Sequence, residues 1–167
     1  MKAILHRRSI RKYKPDPLTP SQINTLLEAA MMAPSASNCQ AWRFVACTDR
    51  EIIDALHAVH PYSGMLAEAP VCIAVCYDRM AAPGLAQFWQ QDCAAATENI
   101  LIAAADIGLG TCWMGVAPNA EFMKSIRAAL NLPDTVDPFN LIAIGYPNEA
   151  HNTSSRYDDS KVHWNGW

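Results

Sequence analysis

The run from Val71 to Tyr77 constrains the fold more than any other part of the chain. Its residues, Val-Cys-Ile-Ala-Val-Cys-Tyr, are nearly all apolar. A strand without polar alternation is typical of the centre of a sheet that is covered on both faces. The sequence therefore predicts three layers, with helices on both sides of a small sheet.

Helical and strand-like segments alternate around this run, and the length of 167 residues favours a single domain over 1–167. Helical patterns cover 3–8, 20–33, 50–56 and 85–109, and a further helix follows a capping Asn119. Strands are predicted at 42–48, 110–115 and 139–146. The helix at 85–109 is apolar around most of its girth, so we expect it to be buried all round, in a dimer that packs along it.

Composition excludes several classes of protein. The net charge of −3 does not favour a polyanion such as nucleic acid as partner of the whole molecule, and no apolar run reaches membrane-spanning length. The six cysteines form no C-x-x-C pair and no zinc pattern, so we expect free thiols in a reducing cytosol and no metal site. His57 and His60, at the end of the third helical pattern, are predicted to be exposed.

Positive charge is concentrated at the start of the chain. Arg7, Arg8 and Arg11, together with three lysines, precede the first acid, Asp16. A cluster of this density fits a solvated face, a targeting arm or a nucleic-acid contact. It also fits a phosphate site, in which guanidinium groups and the Ser9 hydroxyl grip a dianion. Spacing alone leaves these alternatives open.

A second polar segment runs from Pro34 to Gln40, with the sequence Pro-Ser-Ala-Ser-Asn-Cys-Gln. Asparagine and glutamine each offer a donor and an acceptor, which suits the edge of a flat heterocycle. Such a segment can equally be a connector whose side chains cap its own backbone. The dinucleotide, P-loop and nucleophile-elbow fingerprints are all missing from the sequence.

Taken in order, these motifs resemble the FMN-dependent nitroreductase family. The resemblance rests on Arg-Arg-Ser-Ile-Arg at 7–11, the segment 34–44, Gly-Leu-Gly-Thr-Cys-Trp-Met-Gly at 108–115, Ile-Gly-Tyr-Pro at 144–147 and the late Arg156. It spans nearly the whole chain. It implies an α+β, three-layer α/β/α nitroreductase-like fold with a small mixed central sheet, in an intertwined homodimer.

The resemblance also assigns the cofactor site. It implies that the basic cluster binds the phosphate and ribityl chain of FMN. The polar loop lines the isoalloxazine, and in the family this loop comes largely from the partner subunit. The turn at 113–115 lies beside the central ring, with a backbone N–H directed at N5. The implied FMN-binding residues are Arg7, Arg8, Ser9, Arg11, Pro34, Ser35, Ala36, Ser37, Asn38, Gln40, Trp113, Met114, Gly115 and Arg156.

The implied activity is ping-pong hydride transfer from NADH or NADPH through flavin N5 to an acceptor such as a nitroaromatic or quinone. No side-chain nucleophile or general base is singled out, since FMN carries the chemistry. Arg11 is the candidate that stabilises the reduced ring near N1. The implied assembly is a cytoplasmic homodimer with FMN at the interface and the tail at 148–167 docked on the partner. A flavin-storage or redox-sensing protein and a basic-armed interaction protein are the alternatives.

Three departures from the family bear on these expectations. Ala41 stands where the family often has proline, so the loop is less stiff. Cys39 places a thiol near the expected flavin. Few residues lie between Pro61 and the long helix to form a substrate lid, so the acceptor is not defined by the sequence.

Overall fold

The computed structural model of the chain describes residues 1–152 and 154–167. Its strands are β1 (Trp42–Cys47), β2 (Val71–Asp78), β3 (Gly110–Gly115) and β4 (Val136–Gly145). Its helices are α1 (Lys2–His6), α2 (Pro20–Met31), α3 (Arg50–Val59), α4 (Trp89–Asp106) and α5 (Ala120–Ala129). The predicted alternation of helices and strands is confirmed.

The four strands lie in the order β1-β2-β4-β3. Every pair of neighbouring strands is antiparallel. The expectation of a mixed sheet is therefore wrong for the strands. A parallel bridge joins Ser9 to Thr111, with Ser9 outside the named strands. The physical reason is that the two strands joined by α4, β2 and β3, run in the same direction but are separated by the antiparallel β4, an arrangement that no local pattern reveals.

Two hydrophobic layers cover the sheet, as the apolar run of β2 predicts. On one face Ile73 and Val75 pack with α2 and α4, and on the other Cys72 and Ala74 pack with α3 and α5. All residues of β2 except Asp78 are buried. Alternate side chains of this strand thus stabilise opposite layers, which is the arrangement expected of a central strand.

Local signals set the helix boundaries. Thr19 and Gln22 form a complete capping box at the start of α2, with Pro20 as the first helical residue. The side chains of Asp49 and Asn119 accept N-terminal backbone N–H groups of α3 and α5. After α4, Gly108 takes a φ of 79°, the left-handed conformation that glycine adopts without strain.

Helix α4 starts four residues later than predicted, because 83–88 form a 3-10 helix. Between Asp92 and Ala105 each of its residues is buried or half-buried within the single chain. Contacts with α1, α2 and the sheet provide this cover. Helix α4 therefore contacts α1, α2 and the sheet at the same time, so its side chains can hold segments on more than one of its sides.

Candidate FMN site

The basic arm, residues 7–14, is held against the sheet mainly by its backbone. Ile10 donates to the Thr111 carbonyl at 2.8 Å, and Lys14 donates to the Tyr146 carbonyl at 2.9 Å. The Tyr13 hydroxyl donates to the Ile10 carbonyl at 2.6 Å. Ile10 and Tyr13 are buried, whereas Arg11 is exposed. The chain direction of the arm is thus fixed, while Arg11, Lys12 and Lys14 are exposed and Arg7 and Arg8 are half-buried.

Two small residues allow this close packing. A Cβ at Gly110 would lie 2.8 Å from the side chain of Ile10. A Cβ at Gly145 would lie 2.8 Å from the ring of Tyr13. At Gly110 the group that approaches closely is the side chain of Ile10, which belongs to the arm.

Three of the predicted phosphate ligands surround one open cleft of about 530 Å³. Arg7 and Arg8 line it from the arm, and Arg156 lines it from the C-terminal tail with Ser154 and Ser155. Residues separated by about 150 positions in sequence thus meet. Guanidinium groups around hydroxyl-bearing walls are the donor set that a phosphate dianion requires.

The arginines of the cleft are not equivalent. Arg7 pairs with Glu98 of α4 at 3.1 Å. Arg8 donates to the carbonyls of Asn152 at 2.9 Å and Ser154 at 3.1 Å, so its guanidinium fastens the tail to the arm. We conclude that Arg8 shapes the cleft, whereas a phosphate would have to share Arg7 with a half-exposed carboxylate.

Ser9 and Arg11 lie in the arm but do not line this cleft. Ser9 bridges to Thr111. The backbone N–H groups of Arg11 and Lys12 donate to the carboxylate of Glu149. Sequence reasoning missed Glu149, since a carboxylate that binds backbone rather than a cation leaves no local pattern.

The polar loop, residues 34–40, is a tight turn with left-handed backbone at three residues that are not glycine. The φ angles are 49° at Ser37, 54° at Asn38 and 49° at Gln40. Left-handed backbone costs about 1–2 kcal/mol for such residues, and it is concentrated at functional sites. The loop conformation is therefore one that its contacts must maintain.

Those contacts come from inside the loop and from α4. The Ser35 hydroxyl accepts from the Gln40 N–H at 3.0 Å, and the Gln40 side chain donates to Asn38 at 3.0 Å. The carboxylate of Asp92 accepts from the Ala36 N–H at 3.0 Å and from the Cys39 thiol at 3.5 Å. The loop does cap its own backbone, as one of the two interpretations predicts. Asp92, which the sequence did not single out, anchors it.

The loop borders a second cleft of about 460 Å³. Gln40 lies on its rim, and Trp42 and Phe44 from β1 line it with side chains of α2. Arg43, also in the lining, pairs with Asp78 at 3.0 Å. Both clefts have mixed linings. The second cleft combines aromatic and aliphatic side chains with a few polar groups, which suits a planar ring, and the arginine cleft places guanidinium and hydroxyl groups beside Ile4 and Leu5.

The turn that the resemblance implies at 113–115 is the last part of strand β3, paired with β4. Its three residues have different environments. The Trp113 ring contacts Phe139 edge-on, at 5.6 Å between centroids. Met114 is buried, and Gly115 is exposed with open space where a Cβ would be. A ligand could therefore approach the backbone of Gly115 directly, as the sequence predicts for this glycine.

His60 contradicts its prediction. Its side chain is 2% exposed, and Nε2 lies 2.9 Å from the Gly115 carbonyl oxygen. His57 is half-buried, with Nδ1 2.9 Å from the Ser63 hydroxyl. The prediction of two exposed histidines fails because the chain folds back after α3 and covers its end with Tyr62 and Phe122.

The thiols separate into one accessible group and five buried ones. Cys39 is half-buried, and the other cysteines are buried and unpaired. Burial raises the pKa of Cys47 to about 11 and that of Cys76 to about 12. Among the described residues no three His, Cys, Asp or Glu side chains could hold a metal together. None of the helices described is both long and apolar enough to cross a membrane.

Comparison with known proteins identifies the class to which this fold belongs. The model of the nitroreductase family matches residues 4–60 and 54–146. The chain therefore belongs to the nitroreductase family. A protein of Methanothermobacter thermautotrophicus named "Putative NADH dehydrogenase/NAD(P)H nitroreductase" is 40% identical, over 100% of this chain and 87% of the relative.

Solved structures support the same family assignment. An FMN-dependent nitroreductase of Clostridium difficile superposes with a TM-score of 0.91 at 29% identity, covering 99% of this chain and 98% of the other. A structure from Desulfovibrio desulfuricans, described as a "putative nitroreductase in complex with fmn", has a TM-score of 0.86 at 30% identity, covering 99% and 96%. The nitroreductase fold thus extends over the chain.

Proposed function

We propose that this protein is an FMN-dependent oxidoreductase that oxidises NADH or NADPH and reduces an acceptor such as a nitroaromatic or quinone. Family membership over nearly the whole chain supports the reaction class. The observation that carries the proposal to this chain is the cleft of Arg7, Arg8 and Arg156, in which Arg7 and Arg156 can donate to a flavin phosphate while Arg8 holds the wall.

The residues assigned to FMN form three groups, each of which contacts a different part of the cofactor. The arm and Arg156 hold the phosphate and ribityl chain, with Ser9 and Arg11 completing the set from the exposed part of the arm. The loop at 34–40 lines the ring. Trp113, Met114 and Gly115 place a backbone edge beside it. When bound, FMN supplies hydride transfer through its N5 atom, and the chain supplies orientation and electrostatics.

The kinetics follow from a site that serves two substrates in turn. The nicotinamide and the acceptor use the same open face, so product must leave before the acceptor enters, which gives ping-pong kinetics. The segment between β2 and α4 forms only short turns and a 3-10 helix. An open site of this kind accepts a range of planar acceptors, and Arg11 is the cation proposed to stabilise the reduced ring.

A homodimer is part of the proposal. The arm and the polar loop line separate clefts of the single chain, so a second copy would bring the loop of one subunit to the arm of the other. Trp164 and Trp167 in the tail are 84% and 103% exposed. Such aromatic side chains are normally covered, and docking of 148–167 on the partner would cover them. Unpaired thiols favour a cytoplasmic location.

The test begins with colour. Purified protein should be yellow and release FMN on denaturation, and it should run as a dimer in sedimentation. Anaerobic addition of NADH or NADPH should bleach it, and a nitroaromatic or quinone should restore the colour. Protein that binds FMN but is not bleached would support the storage or sensing alternative, for which the accessible thiol of Cys39 is the favouring observation. A folded monomer that takes up no FMN would refute both.

A further inference from the structure

His60 is a buried polar side chain that the proposed reaction does not use. It follows the last residue of α3, and its ring is enclosed by Tyr62 and Phe122, with centroids 6.3 and 5.1 Å away. A buried imidazole costs free energy unless its nitrogen atoms are hydrogen-bonded. Both nitrogens of His60 have partners, and one partner lies in the turn at 113–115.

The two hydrogen bonds define the form of the ring. The Tyr62 N–H donates to Nδ1 at 3.3 Å, so Nδ1 carries no proton. The Gly115 carbonyl can only accept, so Nε2, 2.9 Å away, must donate. The neutral tautomer with hydrogen on Nε2 satisfies both contacts. His60 therefore acts as a hydrogen-bond donor directed at one carbonyl of the turn.

That carbonyl belongs to a peptide group that is held on both sides. The same peptide carries the Val116 N–H, which donates to the Phe139 carbonyl at 3.1 Å. The next N–H, that of Ala117, donates to the same oxygen at 2.9 Å. Strand β4 thus holds the N–H side of the peptide, and His60 holds its oxygen.

Gly115 needs such a restraint more than other residues would. It has no side chain, and nothing lies within 4 Å of the position of a Cβ. Glycine has the largest conformational freedom of all residues, and here the pairing of Gly115 with Asn140 of β4 restricts it, without help from side-chain packing. The hydrogen bond from His60 therefore adds a restraint on the oxygen of the Gly115–Val116 peptide, whose N–H side is held by β4.

We propose that His60 is a positioning residue for the flavin, which acts by holding the Gly115 end of β3 in the orientation that faces the ring. This inference rests on the proposed function, since it requires FMN beside the turn at 113–115. Removal of the donor leaves the Gly115–Val116 peptide held only from the β4 side, so its carbonyl oxygen can shift. The polar backbone edge that contacts the flavin then changes, while the core beneath it is kept.

The experiment compares three substitutions at His60 in the FMN-loaded protein. His60→Phe keeps an aromatic ring without the donor, His60→Gln places an amide N–H near the position of Nε2, and His60→Asn has an amide too short to reach the carbonyl. His57→Phe is the matched control, because His57 lies in the same segment but contacts Ser63 rather than β3. The readouts are the absorption spectrum and midpoint potential of bound FMN, its rate of reduction, and hydrogen exchange at the Val116 amide in the apoprotein.

His60→Phe and His60→Asn should shift the spectrum and the potential, slow FMN reduction about tenfold, and accelerate exchange at Val116. His60→Gln should restore the unaltered values, and His57→Phe should leave them unchanged. If His60→Phe does not fold, the comparison of His60→Gln with His60→Asn tests the positioning role instead. Unchanged flavin spectrum and potential in either donor-deleting variant, or failure of His60→Gln to restore them, would overturn the positioning role alone. Absence of FMN from the unaltered protein would overturn the proposed function as well.

Discussion

The basic arm and the polar loop differ in how the fold holds them. Backbone hydrogen bonds and two buried side chains, Ile10 and Tyr13, fix the arm to the sheet. The loop depends on its own side chains and on one carboxylate, Asp92, and it keeps three left-handed residues. The two proposed halves of one site are thus a rigid cationic half and a strained polar half.

Helix α4 connects the two halves. Asp92 in its first turn binds the loop, and Glu98 pairs with Arg7 of the arm. These acids are six positions apart, which corresponds to about 9 Å along a helix axis. A single rigid element therefore fixes where each half lies. In the proposed site, charge for the cofactor comes from the arm and shape comes from the loop, so mutations in the two halves should have different consequences.

Loss of charge from the arm should have the largest effect. In Arg7→Ala/Arg11→Ala the protein should fold normally but be colourless, with FMN affinity about a thousandfold lower. Hydrogen bonds to charged groups contribute about 1.5–3 kcal/mol each, and two would be lost. Fluorescence titration with FMN measures the affinity. Lys124→Ala, at an exposed position of α5, is the control, and retention of stoichiometric FMN in the double variant would place the phosphate elsewhere.

Thiol labelling compares the two halves without mutation. Cys39 in the loop is half-buried, whereas Cys112 lies buried in β3 beside the arm. Burial raises the pKa of Cys112, an effect that the Arg11 charge only partly offsets, so less thiolate is present. At pH 8 a maleimide should modify Cys39 about a hundredfold faster than the other thiols. Mass spectrometry should find one label on the native protein and six after unfolding, since the chain has six cysteines.

The control for labelling is Cys39→Ser, which should remove the fast phase entirely. Labelling of Cys112 at the rate of Cys39 would mean that the arm opens as readily as the loop. The distinction between a rigid and a strained half would then be lost.

Removal of the loop anchor should have an intermediate effect. In Asp92→Ala the half-buried Ala36 N–H loses its acceptor, which costs about 1–3 kcal/mol, and the loop samples other conformations. FMN affinity should fall about tenfold, with little change in the far-ultraviolet circular dichroism spectrum. Asp106→Ala, at the other end of α4, should leave the affinity unaltered. Equal affinities of all three proteins would show that Asp92 does not shape the ring site.

Relief of backbone strain should have the smallest effect. Ser37→Gly, at a φ of 49°, should raise the free energy of unfolding by about 0.5–1 kcal/mol, because glycine adopts this conformation freely. Ser35→Gly, at a φ of −141°, should lower it, since it removes the hydroxyl that accepts from Gln40. Urea denaturation of the apoprotein measures both. A destabilised Ser37→Gly would mean that contacts of the serine outweigh the strain.

Much of the fold was predictable because its signals are local. The continuous apolar run of β2 requires cover on both faces, and caps such as Thr19 and Asn119 mark where helices begin. The order of the motifs also identified the family, because each motif is short and contiguous. The resemblance implied one site for Arg7, Arg8 and Arg156, and the three side chains line one cleft in the structure.

The features that only the tertiary structure revealed depend on contacts between residues that are distant in sequence. The antiparallel order β1-β2-β4-β3, the anchoring of the loop by Asp92 and the burial of His60 against Gly115 leave no periodic or local trace. The sequence by itself determined which segments are helices, strands and cationic or polar loops, because hydrophobic spacing and capping act within a few residues. Which side chains meet around the site was decided by packing across the whole chain, where a histidine at the end of one helix can bind the backbone of a strand 55 positions away.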